Sequence, residues 1–282
     1  MFFAGLSTAM SPQNVGTLVS IHRYPVKSMI GEELNTSRVG PKGLHGDRLF
    51  ALADPVTGKV ASAKNPAKWP NLFDFHAAYV DPDDNGHDPR IRITLPNGET
   101  VLTSHEAVDD LLSASVGRPV HLLGIAPSKS TLEEYWPDVE GLARRDEVTD
   151  EAIPSETFFD CATVHFLTTA TLAELRRLHP GGQIETRRFR PNLVIDTLPD
   201  LTGFAEGTWT NSVIAIGSEV RLKVTGPCSR CVMTTLSQGD LPKDVGVLRT
   251  AAKYNQAQVG AYASVLQGGV IRRGDLAKIE PA

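Results

Sequence analysis

The sequence predicts an α+β chain that is mainly β, dominated by a closed or nearly closed β-barrel. Three observations carry that reading. Short apolar stretches bounded by Gly, Pro, Asn and Asp recur along the chain, the pattern of strands joined by turns. Only two or three stretches show helical spacing of apolar residues. With 282 residues, 41% of them hydrophobic and 22% charged, the chain is long and apolar enough to fill a sizeable core or two modest ones.

In chain order, residues 1–13 form an expected loose tail: Met1 to Met10 is mildly apolar but has neither a basic leader nor a long apolar run. Val15 to His22 reads as the first strand, Leu34 to Val39 as the second, and Leu49 to Ala53 as extended chain after the turn Gly40-Pro41-Lys42-Gly43. Phe73 to Val80 is a further strand, and Asp81 to Pro89 a solvated loop. Ile91 to Leu95 alternates apolar and polar, turns at Pro96-Asn97-Gly98 and returns through Val101-Leu102, a hairpin pattern. Ser104 is the expected cap of a helix with Ala107, Val108, Leu111 and Leu112 on its apolar face, ended by Gly117. Val120 to Leu123 returns as a strand, which completes a first part over residues 14–125.

Residues 126–157 are rich in Ser, Pro, Glu, Asp and Arg and show little periodicity, so they are expected to be a junction. A second part over residues 158–282 follows. Val164 to Leu167 is its first strand, leading into Thr168-Thr169 and a helix that buries Leu172, Leu175 and Leu178 and stops at Pro180-Gly181-Gly182. Strands recur at Leu193 to Asp196, Val213 to Ile216, Val220 to Thr225, Tyr262 to Leu266 and Leu276 to Ile279. One more helix is expected from Val245 to Tyr254.

A net charge of −5 argues against a protein that grips nucleic acid, and no run approaches the ~20 apolar residues of a membrane helix. Three cysteines are too few for a disulfide framework, which fits a reducing compartment, with cytoplasm as the expectation. Two of them, Cys228 and Cys231, form a Cys-x-x-Cys pair. Structural zinc wants four ligands, and neither a second cysteine pair nor a His-x₃₋₅-His pair accompanies them. A thioredoxin-like pair would open a helix, whereas Val232 to Thr235 is expected to continue as extended chain. Two inert buried cysteines remain an alternative. Against it, Arg230 adjoins Cys231 and would favour its thiolate, the form that binds a soft metal. Cys161 is expected to be a passive core residue.

A second group is basic. Lys27-Ser28, Gly46-Asp47-Arg48 and Arg187-Arg188-Phe189-Arg190-Pro191-Asn192 each stand where a strand meets a turn, the usual place for a presented site. Arginine holds phosphate through a planar fork, and Thr168-Thr169 at a helix start would add hydroxyls and free N–H groups. The alternative is a set of solvated charges.

Four of these segments occur together and in order: Tyr24-Pro25-Val26-Lys27-Ser28, Gly46-Asp47-Arg48, Arg188-Phe189-Arg190-Pro191-Asn192, and Cys228-Ser229-Arg230-Cys231 with Thr234-Thr235. As a set they resemble the MOSC family, the domains related to the C-terminus of molybdenum-cofactor sulfurases, and within it the amidoxime-reducing proteins. The resemblance runs from about Val15 to Ile279. It implies a β-rich MOSC N-terminal domain followed by a MOSC β-barrel, with the cofactor site between the two parts. It also implies a molybdenum–molybdopterin cofactor (Moco) whose metal is ligated by Cys231. The implied cofactor contacts are Lys27, Ser28, Arg48, Thr168, Thr169, Arg190, Asn192, Ser229, Arg230 and Tyr262. The activity implied is reduction of small N-hydroxylated compounds such as amidoximes, hydroxylamines and N-oxides. No four-cysteine ferredoxin run follows the last strand, so the electrons are expected from a separate electron-transfer protein. A sulfur-handling or cofactor-carrier role for Cys231 is the rival reading, and a β-rich binding module is a third.

Overall fold

The computed structural model describes residues 12–81 and 90–280. The predicted tail up to residue 11 and most of the predicted loop at 81–89 lie outside the described residues. In the first half the strands are β1 (Gln13–Arg23), β2 (Glu32–Leu34), β3 (Thr36–Gly40), β4 (Gly43–Leu44), β5 (Ala51–Ala53), β6 (His76–Tyr79), β7 (Ile91–Thr94) and β8 (Thr100–Leu102). Helix α1 (Val108–Val116) and the strands β9 (His121–Leu123), β10 (Thr131–Trp136) and β11 (Glu147–Ala152) follow. The second half runs through β12 (Val164–Thr168), α2 (Thr169–Leu178), the single turn α3 (Thr186–Phe189), β13 (Leu193–Thr197), β14 (Val213–Ile216) and β15 (Val220–Ser229). It ends with α4 (Val245–Asn255), β16 (Gln258–Gln267), β17 (Gly269–Arg272) and β18 (Leu276–Glu280).

Seven strands close a barrel in the order β13-β12-β16-β15-β14-β18-β1, with β1 pairing back onto β13. Every pairing is antiparallel except β12 with β13. The alternation Val220-Arg221-Leu222-Lys223-Val224 shows how sequence sets the wall: the three apolar residues are buried and the two cations lean outward. They join Leu18, Ile21, Phe166, Ile195 and Ile214 in the barrel core. Burying each such side chain stabilises the fold by about 1.5–3 kcal/mol. Gly16 permits the closure. It sits at φ 153°, where a Cβ would lie 2.0 Å from the carbonyl oxygen of Asp196 on β13.

The first half holds a second core around Val26, Trp69, Leu72, Phe73, Phe75, Ile91 and Ile93, into which Met233 of the second half also packs. The predicted hairpin at 91–102 is β7–β8. The helix after it is α1, and Gly117 ends it in the left-handed region. Ser104 is not its cap. The chain first turns through Thr103–Ala107, with Ala107 N–H donating to His105 Nδ1 at 3.1 Å, and the helix begins after that turn.

Three expectations of element need correction. The predicted strand 73–80 begins as a 3₁₀ turn, Leu72–Asp74, because Leu72 and Phe73 both bury into the second core, which alternation on a strand would forbid. The stretch Val232–Thr235 is also a 3₁₀ turn, not extended chain, with the Thr235 hydroxyl donating back to Val232 O at 2.7 Å. Inside the predicted junction, β10 and β11 form a regular hairpin. It docks on the first half through Leu132, which is 1% exposed, and through Tyr135 N–H donating to Lys64 O at 2.8 Å.

Candidate functional site

A cavity of about 300 Å³ opens between the barrel and the first half. The first half supplies Arg48 and Lys64, and the β10–β11 hairpin supplies Glu134 and Trp136. The barrel side supplies His165 from β12, Arg190 and Asn192 from the α3–β13 connection, Cys228 to Cys231 from the end of β15, and Tyr262 from β16. Asp160 and Cys161 come from the segment leading into β12. A larger cavity of about 940 Å³ shares Arg48 and Phe159 with it but is lined by no cysteine.

The basic wall is held by one buried carboxylate. Asp47 accepts from Tyr24 N–H at 2.7 Å, from Asn192 Nδ2 at 2.9 Å and from the Arg48 guanidinium. Asn192 turns its Oδ1 to the His165 N–H at 3.1 Å, so a single amide ties the first half to the first barrel strand of the second half. The ring of Tyr24 lies under both guanidiniums, with Arg190 4.2 Å and Arg48 5.0 Å from its centroid. Burial lifts the Tyr24 phenol to about 12, so it stays neutral here. Arg190 and Arg48 both take φ 51°, in the left-handed region. Burial also lowers the Arg190 guanidinium to about 10, which still leaves it charged at neutral pH. Its Nη1 is buried without a hydrogen-bond partner, and so is Nε of Arg230. Buried donors of this kind cost stability unless an acceptor reaches them.

Asp160 sits among cations. Burial works to raise its carboxyl, but the Lys27 and Lys64 ammoniums and Arg48 outweigh it and hold it well below the usual carboxylate range. Lys27 binds Asp160 and donates to Phe158 O at 2.7 Å. Lys64 binds Glu134 at 2.9 Å and lies 3.6 Å from Asp160. Burial alone would lower the Lys64 ammonium, yet Asp160, Cys231 and Glu134 more than reverse that and raise it.

The cysteines differ from their expected roles in two respects. The Arg230 fork does not serve its sequence neighbour Cys231. Its Nη1 lies 2.7 Å from the sulfur of Cys228, and its Nη2 donates to Phe189 O at 2.9 Å. Burial pushes the Cys228 thiol up, but Arg230, His165 and Tyr262 overcome it and bring the thiol down to about 6. Cys231 is pushed up to about 11 by burial, with Lys64 pulling the other way. Cys161 is not a core residue: it is exposed, at the edge of the cavity.

Of the eleven predicted site residues, the cavity gathers seven: Arg48, Arg190, Asn192, Ser229, Arg230, Cys231 and Tyr262. Lys27 and Ser28 stand one layer behind, Lys27 through Asp160 and Ser28 through its Oγ, which accepts from Ala63 N–H at 3.1 Å. Thr168 and Thr169 line no part of the cavity. Thr168 is fully buried, caps α2 and donates to Glu206 at 2.6 Å, and Thr169 donates to Asp196 at 2.8 Å. Arg187 and Arg188 also turn away. Arg188 is a buried clamp on the carbonyls of Gln183, Leu236 and Pro242, and Arg187 pairs with Glu185 and Asp240 at the surface. Lys64, Glu134, Asp160 and His165 carry no local signal in the sequence. Only tertiary packing brings them in, from the first half (Lys64), the hairpin (Glu134), the segment before β12 (Asp160) and β12 itself (His165).

Fold and site together define a two-part β protein with a cysteine and an arginine cradle at the seam. The chain belongs to the MOSC family: its residues 154–278 match the MOSC domain and residues 15–118 the MOSC N-terminal beta barrel domain. MOSC domains occur in molybdenum-cofactor-binding proteins. Among solved structures, the chain is similar to the YUAD protein from Bacillus subtilis at 11% identity, covering 98% of each chain with a TM-score of 0.45. It is also similar to YiiM from Geobacillus stearothermophilus at 17% identity and a TM-score of 0.32, over 42% of this chain and 54% of that one. No curated protein matches it.

Proposed function

We propose that the cavity binds a molybdenum–pterin cofactor through Cys231 and that the loaded protein reduces small N-hydroxylated compounds. The observation that carries the binding step is the orphaned Nη1 of Arg190, a buried cationic donor in the cavity that also holds Cys231. An anionic ligand would supply the missing acceptor, and a thiol suits a soft metal better than calcium or magnesium. The residues therefore fit the group. The choice of N-hydroxylated substrates rests on the resemblance of the four motifs to the amidoxime-reducing members.

When bound, the cofactor would supply two-electron chemistry: the N–O bond takes two electrons and two protons, and the oxygen leaves as water. Arg48 and Arg190 would hold its anionic tail, braced by Asp47 and stacked on Tyr24. Asn192, locked between Asp47 and His165, keeps the two halves in register around it. Lys64 keeps its proton and balances Glu134 and Asp160 at the opening. Cys231 must lose its proton on ligation, because burial holds it as a thiol.

Protein made in a molybdenum-replete host should contain molybdenum and pterin, and should turn over benzamidoxime with an artificial electron donor. Metal and pterin without turnover would favour the rival role, a sulfur-handling or cofactor-carrier protein, which the gathering of Cys228 and Cys231 in one cavity also suits. Absence of both would remove the reading.

A further inference from the structure

The walls of the cavity that holds Cys231 come from two kinds of chain. Its cations and cysteines stand in the segments that match the family, residues 15–118 and 154–278. Glu134, Trp136 and Glu151 come instead from the β10–β11 hairpin, which lies between those two matches. The cradle is thus family material, and the hairpin wall belongs to this chain. Trp136 is its largest apolar surface. The other two tryptophans, Trp69 and Trp209, are 3% and 5% exposed and fill the two large cores. Trp209 stacks on Phe166, and Trp69 lies under Lys68 and Arg118. Trp136 is half-buried, joins no hydrophobic core and has no ring or cation against its face among the described residues. Its edge, by contrast, is fixed. The indole N–H donates to Thr149 Oγ1 at 2.9 Å, and that hydroxyl donates to Glu151 Oε1 at 2.7 Å. A six-pair antiparallel ladder holds the backbone on both sides of this relay. An indole placed for stability gives its faces to a core, as Trp69 and Trp209 do. One with a satisfied N–H, a fixed edge and an unused face on a cavity is arranged to stack on a flat ring.

On the reading of this cavity as the place where N-hydroxylated compounds are reduced, we propose that Trp136 determines which of them it takes. The indole stacks on the ring of an aromatic N-hydroxylated compound and so favours it over an aliphatic compound with the same head group. Trp136 makes and breaks no bond, so its effect falls on binding and not on the chemical step. Stacking between aromatic rings adds to the burial of the ring itself, and together they should favour the aromatic compound by about tenfold in affinity. Little of that gain is lost to ordering the wall, because the relay through Thr149 already holds the indole in place.

The test uses the full chain from a molybdenum-replete host, titrated without reductant so that the N–O bond stays intact. Benzamidoxime and acetamidoxime present the same head group with and without a ring, and calorimetry reads the affinity of each. Wild type should bind benzamidoxime about tenfold more tightly than acetamidoxime. Benzamidoxime should also quench tryptophan fluorescence, because Trp136 is the accessible tryptophan and the other two are buried. Trp136→Leu should bring the ratio of affinities down to about two or less and leave acetamidoxime binding unchanged. Trp136→Phe should keep most of the ratio, since a ring survives, and abolish the quenching. A wild-type ratio near one, a ratio unchanged in Trp136→Leu, quenching that survives Trp136→Phe, or binding of neither compound would each overturn the assignment. The ratio and the quenching are read first in wild type, so a variant that misfolds leaves the test intact. Molybdenum analysis of the same samples separates the two claims. A ring preference that depends on Trp136 in metal-free protein would keep the wall and count against the cofactor, whereas metal-loaded protein without the preference would remove the wall alone.

Discussion

At the scale of single residues, Arg190 and Cys228 carry the electrostatics of the cavity. Arg190→Ala removes a charged donor that waits for an acceptor. A hydrogen bond to a charged group contributes roughly 1.5–3 kcal/mol, so cofactor affinity should fall by about one to two orders of magnitude. Arg190→Lys should recover only part, because the point charge survives and the fork does not. Pterin and molybdenum occupancy beside thermal melts checks this, and full occupancy in Arg190→Ala would contradict it. Cys228 makes a pH prediction. Its folded pKa, about 6, lies below that of an ordinary thiol, so its thiolate contributes stability that is complete above the ordinary thiol pKa and is lost as pH falls through about 6. The thiolate absorbance of the folded protein should therefore disappear with a midpoint near 6, and Cys228→Ser should abolish that step. A wild-type step that appears only above pH 8 would contradict the assignment. The sequence was legible here up to a point. The motif order located Arg48, Arg190, Asn192 and Cys231, but adjacency assigned the Arg230 fork to the wrong cysteine. Arg230 stands just past the end of β15, and its fork reaches back to Cys228 instead of on to Cys231.

At the scale of elements, the seam of the site is built from turns whose roles the local pattern does not reveal. The triplet Arg187-Arg188-Phe189 reads as a basic patch, yet Arg188 is 0% exposed and binds three carbonyls that follow or precede other elements. It fastens α3 to the stretch between the Val232–Thr235 turn and α4. Removing it leaves buried acceptors without donors, so Arg188→Ala should destabilise the protein by about 3 kcal/mol or more, read from urea unfolding, while Arg187→Ala should stay within about 0.5 kcal/mol. Equal effects would undo the distinction. The hairpin β10–β11 escaped notice for a related reason. Its outer strand is solvated on both faces, so Glu147 to Ala152 lacks the alternation that marks a half-buried strand. Strands such as β7 and β15, with one face in a core, were legible because burial imposes a period of two.

At the scale of the whole molecule, the barrel is not the property of one half. Its seventh strand is β1, from the start of the chain, and without it β13 and β18 would each present an open edge. The mainly β fold was legible in strand count and turn spacing. This closure was not, because pairing between residues near 16 and near 197 leaves no trace in local pattern. A fragment of residues 154–282 should accordingly fail to unfold cooperatively, whereas the full chain should give a single sharp transition by circular dichroism. A cooperative, native-like fragment would show that β1 is dispensable. Arg48, Asn192 and Cys231 meet around one cavity between the barrel and the first half, so the central claim concerns what that cavity holds. The most direct measurement is molybdenum and pterin content of protein from a molybdenum-replete host, in wild type, Cys231→Ser and Cys228→Ser side by side. Wild type should carry both, Cys228→Ser should keep most of the metal, and Cys231→Ser should lose it while still folding. Equal molybdenum in wild type and Cys231→Ser, or none in wild type, would contradict the account.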